Sequence, residues 1–364
     1  MLSLKKAVVA LHSTRHVVIS NMSVLDGRGV GLMATNVTDV HLASIVSSLH
    51  GQQGIVMTSA TDSSITGCSV SETGCGAVRA HGGDAAMLAR GNLTVSNNSI
   101  TRFALWKRTY QAGIHWAGVA NSFTDNNVSN GPHNCFLGGG NEADPSSTLA
   151  GVDCLFEGNS LEGCAFEAAD TGAFYVCGQM GSAFINRNNT IRNNMFRDIR
   201  NTVGTGVQSA SVQAIYLDDQ MSGWTIEDNR FINNQVGSFI GGGRDTVVQR
   251  NYYESCDTAQ HIDDRGLGWQ KTTCDCTLIC EPLSPGCSCN TGGALWMLSK
   301  AAAAATWSAR FPDLKNISGD RLCQPAHNVI SDNTYCKCGK FIDAEHTQTS
   351  SWGTTVENNV EVTC

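Results

Sequence analysis

The chain has 364 residues, with 24 Lys and Arg against 32 Asp and Glu, a formal net charge of −8 and a pI near 5.6. That acidity excludes a nucleic-acid partner held by phosphate neutralisation, and 41% apolar against only 15% charged residues excludes a disordered polyelectrolyte. The 38 glycines and 28 asparagines indicate a turn-rich, all-β chain, and no apolar run approaches the ~20 residues of a membrane span.

At the N-terminus, Lys5 and Lys6 precede Ala7-Val8-Val9-Ala10-Leu11, but His12 and Arg15 interrupt before an apolar stretch of useful length. No secretory signal is visible. Repeats are already under way by Val17, so the expectation is a chain truncated at its N-terminus and lacking its cap.

A phrase then recurs: apolar, two residues, Asn, one residue, apolar. It reads Val95-x-x-Asn98-x-Ile100, Phe123-x-x-Asn126-x-Val128, Phe156-x-x-Asn159-x-Leu161 and Ile191-x-x-Asn194-x-Phe196. It continues as Ile226-x-x-Asn229-x-Phe231, Val248-x-x-Asn251-x-Tyr253 and Ile330-x-x-Asn333-x-Tyr335. Cys68 takes the Asn slot in an earlier copy, and a degenerate last copy spans Val356 to Asn359. The spacings between successive asparagines from Asn98 are 28, 33, 35, 35, 22 and 82 residues. A minimum step with longer insertions predicts a solenoid in which each copy is a strand, a turn at Asn and another strand. Asn tolerates left-handed backbone, and its amide can bond the coils above and below. The expected fold is a right-handed parallel β-helix, one domain over 1–364, with no linker marking a second.

The coils place four strands in register: Ala173 to Gly178, Ala214 to Asp219, Gly237 to Gly242 and Ala259 to Asp264. Val176, Leu217, Ile240 and Ile262 should point inward. Tyr175, Tyr216, Phe239 and His261 should form one outward column, and Cys177, Asp218, Gly241 and Asp263 another. With coils about 4.8 Å apart, Asp218 and Asp263 would be roughly 10 Å apart, with Gly241, Gly242 and Gly243 leaving a groove floor between them. Aromatic rings beside carboxylates along a groove suit a carbohydrate chain.

Asp170, Asp218, Asp219 and Asp263 are therefore the candidate catalytic acids. Tyr175, Tyr216, His133, His261, Arg244, Asp264 and Arg265 are the candidate substrate-binding residues. Glu167 precedes the first of these strands and Asp245 follows the glycine run, while His81, His115 and His133 are outward candidates upstream. An Asp beside Gly or in an Asp-Asp pair is equally an ordinary turn residue in such coils. The clustering of five acids on adjacent coils therefore weighs more than any one of them.

The 82-residue gap holds an insertion over 270–325. It contains Cys274, Cys276, Cys280, Cys287 and Cys289, whose spacing fits a disulfide-stapled loop better than a zinc knuckle. Leu295 to Arg310 reads as a helix. Sixteen cysteines and seven N-x-S/T sequons, at Asn21, Asn36, Asn92, Asn97, Asn127, Asn188 and Asn316, make a secreted, glycosylated, disulfide-bonded monomer the expectation.

The segments around Asp170-Thr171-Gly172, Tyr216-Leu217-Asp218-Asp219, Gly241-Gly242-Gly243-Arg244-Asp245 and His261-Ile262-Asp263-Asp264-Arg265-Gly266-Leu267-Gly268-Trp269 resemble secreted right-handed β-helix proteins of the pectate-lyase-like superfamily. Within it they are most similar to carbohydrate-active members such as glycoside hydrolase family 141. That resemblance implies a polysaccharide or oligosaccharide substrate, a glycoside hydrolase activity without cofactor, and Asp170 and Asp218 as its pair of aspartates. The cysteine-rich insertion departs from the bacterial pattern of those proteins. Two alternatives remain open. One is a polysaccharide lyase, with Ca²⁺ held by Asp218, Asp219 and Asp263 and a base among Arg244, Arg265 and Lys107. The other is a non-catalytic glycan-binding solenoid.

Overall fold

A computed structural model describes residues 6–139, 151–177, 183–202, 211–270, 294–344 and 349–364. Among them, 22 strands form one parallel sheet and 11 form another, as a right-handed parallel β-helix. The larger sheet bends around a coil corner. The strand Leu32–Ala43 pairs with both Ile55–Thr61 and Ser64–Thr66, so this sheet supplies two faces of each coil and the smaller sheet the third.

The repeat phrase sets the register. Ile65, Val95, Phe123, Phe156, Ile191, Ile226, Val248, Ile330 and Val356 stand opposite one another in successive coils. The asparagines form the expected ladder from Asn98 to Asn359, each side-chain amide donating to the next amide oxygen at 2.9–3.0 Å. One detail differs from expectation. The left-handed residue is the one before the ladder asparagine: Asn97, Asp125, Gly158, Asn193, Asp228, Arg250, Asp332 and Asn358 have φ between 53° and 69°. The ladder residue itself contributes its side chain, and the turn is made by its neighbour.

Inside the coils, like side chains stack on like. Phe196, Phe231 and Tyr253 lie nearly parallel, with centroids 5.0 and 4.6 Å apart, and Phe123 stacks on Phe156 at 4.9 Å. Val176, Leu217, Ile240 and Ile262 are fully buried, as expected of the inward column. Disulfides join Cys135 to Cys164 and Cys336 to Cys364.

The predicted helix is present as Ala294–Ala303 and Ala305–Arg310, followed by a 3₁₀ stretch Pro312–Gly319. Trp307 anchors it to much earlier coils: it packs in one cluster with Val119, Val152 and Phe184, and its indole N–H donates to the Ala85 carbonyl at 3.0 Å. The expected cysteine cluster from Cys274 to Cys289 lies outside the described residues. No helix among the described residues is long and apolar enough to cross a membrane.

Candidate functional site

Four strands carry the site: Thr171–Cys177, Val212–Asp218, Val236–Gly241 and Thr258–Asp263. Their register is the one expected. Tyr175 pairs with Tyr216, Tyr216 with Phe239 and Phe239 with His261, while Cys177 pairs with Asp218 and Gly241 with Asp263. The outer rings stack along the face, Tyr216 on Phe239 at 4.6 Å and Phe239 on His261 at 4.0 Å.

The space between Asp218 and Asp263 is filled rather than open. A Cβ on Gly241 would lie 2.8 Å from the Arg265 guanidinium carbon, and one on Gly242 would lie 2.8 Å from Arg265 Cγ. The glycines thus make room for an arginine and leave no sugar floor. Arg265 donates from Nε and Nη2 to Asp263 at 2.9 and 2.7 Å, and from Nη1 to Asp218 and, at 3.3 Å, to Asp219. Nη2 also reaches the Tyr216 hydroxyl at 3.1 Å, and the guanidinium lies 5.2 Å from the Phe239 ring centroid. Burial opposes the Arg265 charge, but Tyr216, Asp218 and Asp263 outweigh it and drive its pKa further up.

Around this cation the acids divide. Asp219 is tied into a buried network, accepting from Gln270 Nε2 at 2.5 Å and from the Cys177 thiol at 3.2 Å. Asp219 and Gln220 are consecutive left-handed residues, with φ of 49° and 62°, so the strand turns sharply where its acids converge. Asp263 is held by its bidentate pairing with Arg265. Asp218 accepts the Tyr175 hydroxyl at 2.6 Å. Asp170 sits at the solvent edge with positive φ, and its Oδ1 accepts the Tyr216 hydroxyl at 3.4 Å. The protein crowded against its inner side raises its pKa, and the nearby Asp218 charge raises it further.

Other expected residues take different places. Tyr175 and Tyr216 are only 3% and 2% exposed, so their rings pack on each other and cannot stack on a sugar. Their buried hydroxyls, with pKa values pushed up by burial, act as neutral donors to the carboxylates. His133 is buried against Tyr110, with Nδ1 2.7 Å from Asn134 Oδ1. Arg244 is outside the cluster: it pairs with Asp245 and Asp320 in a separate cavity of about 480 Å³ beside Arg187 and His327. Glu167 pairs with Arg108, and His81 Nε2 lies 2.8 Å from His115 Nδ1. His261 and Asp264 remain part-exposed at the end of the column.

Two contributors escaped the sequence reading. Gln270 closes the network on Asp219. Trp269, 59% exposed, presents its ring beside Arg265 with the guanidinium carbon 5.9 Å from its centroid. A tryptophan four residues past the Asp-Asp-Arg run was the available signal for the second.

The carboxylates expected to hold Ca²⁺ do not fit it. Asp218, Asp219 and Asp263 all turn oxygens toward the Arg265 guanidinium, which occupies the position of a shared cation. Cys177, Asp218 and Asp219 bring ligand atoms within 4.8 Å of one another, but Arg265 and Gln270 already bond that group.

Comparison with known proteins supports the fold. The sequence model of the family described as "Right handed beta helix region" matches residues 7–177. Among solved structures, the chain is similar to the catalytic domain of a GH87 α-1,3-glucanase in complex with tetrasaccharides, with 11% identity and a TM-score of 0.50, covering 96% of this chain and 50% of that one. A second likeness, to the catalytic domain of a GH87 α-1,3-glucanase in complex with nigerose, has 12% identity and a TM-score of 0.46, with the same coverage of 96% and 50%. The chain thus spans about half the length of the solved chains it matches. Comparison with curated proteins finds no match.

Proposed function

We propose that the chain is a glycoside hydrolase acting on a polysaccharide, with Asp170 as general acid and Asp218 as its partner carboxylate. The observation that carries this reading is the contrast between two neighbouring acids. Asp170 is solvent-facing with a raised pKa, whereas Asp218 is buried, ion-paired to Arg265 and hydrogen-bonded by Tyr175. Environments that separate two carboxylates in this way suit one acid and one base or nucleophile. Asp170 gives its proton to the glycosidic oxygen as the bond from that oxygen to the sugar carbon breaks. Asp218 attacks that carbon or takes a proton from the water that does. Trp269 offers the sugar a face beside the pair. Asp219, Asp263 and Gln270 hold Arg265 and Asp218 in place.

A likeness in fold to a glucanase catalytic domain agrees with a neutral glucan as the first substrate to try, and the narrower resemblance to family 141 belongs to the same proposal. The lyase alternative is weaker, because Arg265 already engages the acids that would bind Ca²⁺. The disulfides Cys135–Cys164 and Cys336–Cys364, and sequon asparagines that are all exposed, support a secreted, glycosylated protein, which we take to be a monomer. The test is release of reducing ends from neutral polysaccharides by the wild type against Asp170→Asn and Asp218→Asn. Activity retained by both variants removes the proposal.

A further inference from the structure

On the coils N-terminal to the acids, a second surface has the chemistry of a sugar subsite. Trp106 is the most exposed large apolar side chain among the described residues, at 76%. It lies in the long connection between the strands Ser99–Thr101 and Ile114–Val119. Exposure here does not mean looseness. The backbone N–H groups of Leu105, Trp106 and Lys107 donate to Thr73 and Gly74 carbonyls of the preceding coil, each at 2.9 Å.

The indole lies against two stacked glycines. A Cβ on Gly51 would meet its Cζ3 at 3.0 Å, and one on Gly74 would meet its Cε3 at 2.8 Å. Any larger residue at either position would lift the ring. One part of the ring is therefore seated on the backbone of two coils while the rest faces solvent. Beside it is a cleft of about 360 Å³ lined by Asp26, Arg28, Leu49, His50 and Glu72. A held, flat aromatic surface rimmed by carboxylates and an arginine suits a pyranose: the ring covers its C–H face, and the polar groups address its hydroxyls. Because the indole is fixed before binding, little ordering cost opposes that contact.

The position of the cleft links it to the site above. Gly51, Gly74, Trp106, His133 and Asp170 all lie at the same corner, between a strand of the 11-stranded sheet and a strand of the site face. From the coil of Gly74 to that of Asp170 is three coil steps, roughly 14 Å at about 4.8 Å each. The same connection carries Tyr110, whose ring packs on His133 and on Tyr175, the residue that bonds Asp218.

We infer that Trp106 and its cleft form a distal sugar-binding subsite that holds a polysaccharide chain along this corner, on the side of the N-terminal coils. The inference rests on the carbohydrate reading of the site but not on its catalytic roles. The test is affinity electrophoresis of the full chain in native gels containing an α-glucan, a β-glucan, a xylan or a mannan. Wild type, Trp106→Ala and Trp106→Phe are compared, with thermal melts to show that each variant is folded. The wild type should be retarded by at least one polymer, with affinity falling about tenfold in Trp106→Ala and much less in Trp106→Phe. Equal retardation of Trp106→Ala and wild type, or a wild type retarded by none of the four, overturns the subsite. Reducing-end release by the same proteins separates the two proposals. Binding that depends on Trp106 without any hydrolysis leaves the subsite standing and removes the hydrolase. Hydrolysis abolished by Asp170→Asn with binding indifferent to Trp106 does the reverse.

Discussion

The Tyr175 hydroxyl and the Asp218 carboxylate are 43 residues apart in the chain and 2.6 Å apart in the fold, because one coil separates their strands. Burial keeps the phenol neutral, so it is always a donor to Asp218. Tyr175→Phe keeps the packing of the ring and removes only that bond. It should lower kcat about 10-fold, the loss of one charge-assisted hydrogen bond of ~1.5 kcal/mol, while the melting temperature stays close to wild type.

Asp170 gives a pH dependence with a definite sign. A general acid must be protonated, so kcat/KM should fall as pH rises through the raised Asp170 pKa. The Asp170→Asn variant should lose that limb along with most of its rate. Stability runs the same way. The folded state binds this proton more tightly than the unfolded chain, whose aspartates titrate near about 3.9. The stability contributed by the bound proton is present at low pH and is lost as pH rises through the folded value. Asp170→Asn should therefore melt higher than wild type at neutral pH and match it at pH ~3, where both carboxyl states are protonated.

Arg265 balances three buried carboxylates. Arg265→Met leaves them facing one another and should cost about 3–5 kcal/mol in urea unfolding. Adding Asp263→Asn to that variant should recover part of the loss, since one uncompensated charge is removed. Additive losses in the double variant would contradict the pairing.

In the asparagine ladder, Asn194 donates to Asn229 Oδ1 and to the Phe156 carbonyl, and accepts from Asn159 Nδ2. Asn194→Ala strands several buried groups and should cost about 1–3 kcal/mol, whereas Asn193→Gly, at the exposed left-handed turn beside it, should be nearly neutral. Urea unfolding of the two variants checks the contrast.

The thiols should differ in reactivity. A hydrogen bond from Cys256 lowers the pKa of Cys338, while burial pushes Cys154 up to about 12. Iodoacetamide at pH ~7 should label Cys338 well before Cys154, read by peptide mass mapping.

Much of the fold was legible because a solenoid repeats its local chemistry. Once Asn98, Asn126 and Asn159 shared a slot, the inward and outward columns followed from strand alternation. The turn was less legible: Asn159 follows Gly158 but Asn251 follows Arg250, so the left-handed position has no single residue type to mark it. Arg265 is expected from sequence to bind substrate, and its actual role as a buried counter-ion was illegible for another reason. Its neighbours in sequence place it beyond the end of a strand, and only the reach of a long side chain folds it back over Gly241. That reach turned an expected groove floor into an ion-paired cluster. Burial of Tyr175 and Tyr216 likewise depends on what covers the face, which column arithmetic does not contain.

The most direct test of the account is reducing-end release from neutral polysaccharides, followed for wild type, Asp170→Asn and Asp218→Asn at several pH values. Hydrolysis by the wild type is expected, with a loss of roughly 10³-fold or more in each variant and with Asp170→Asn losing the pH limb. Variants within about 3-fold of wild type, or a wild type that releases no reducing ends from any of these polymers, would contradict it.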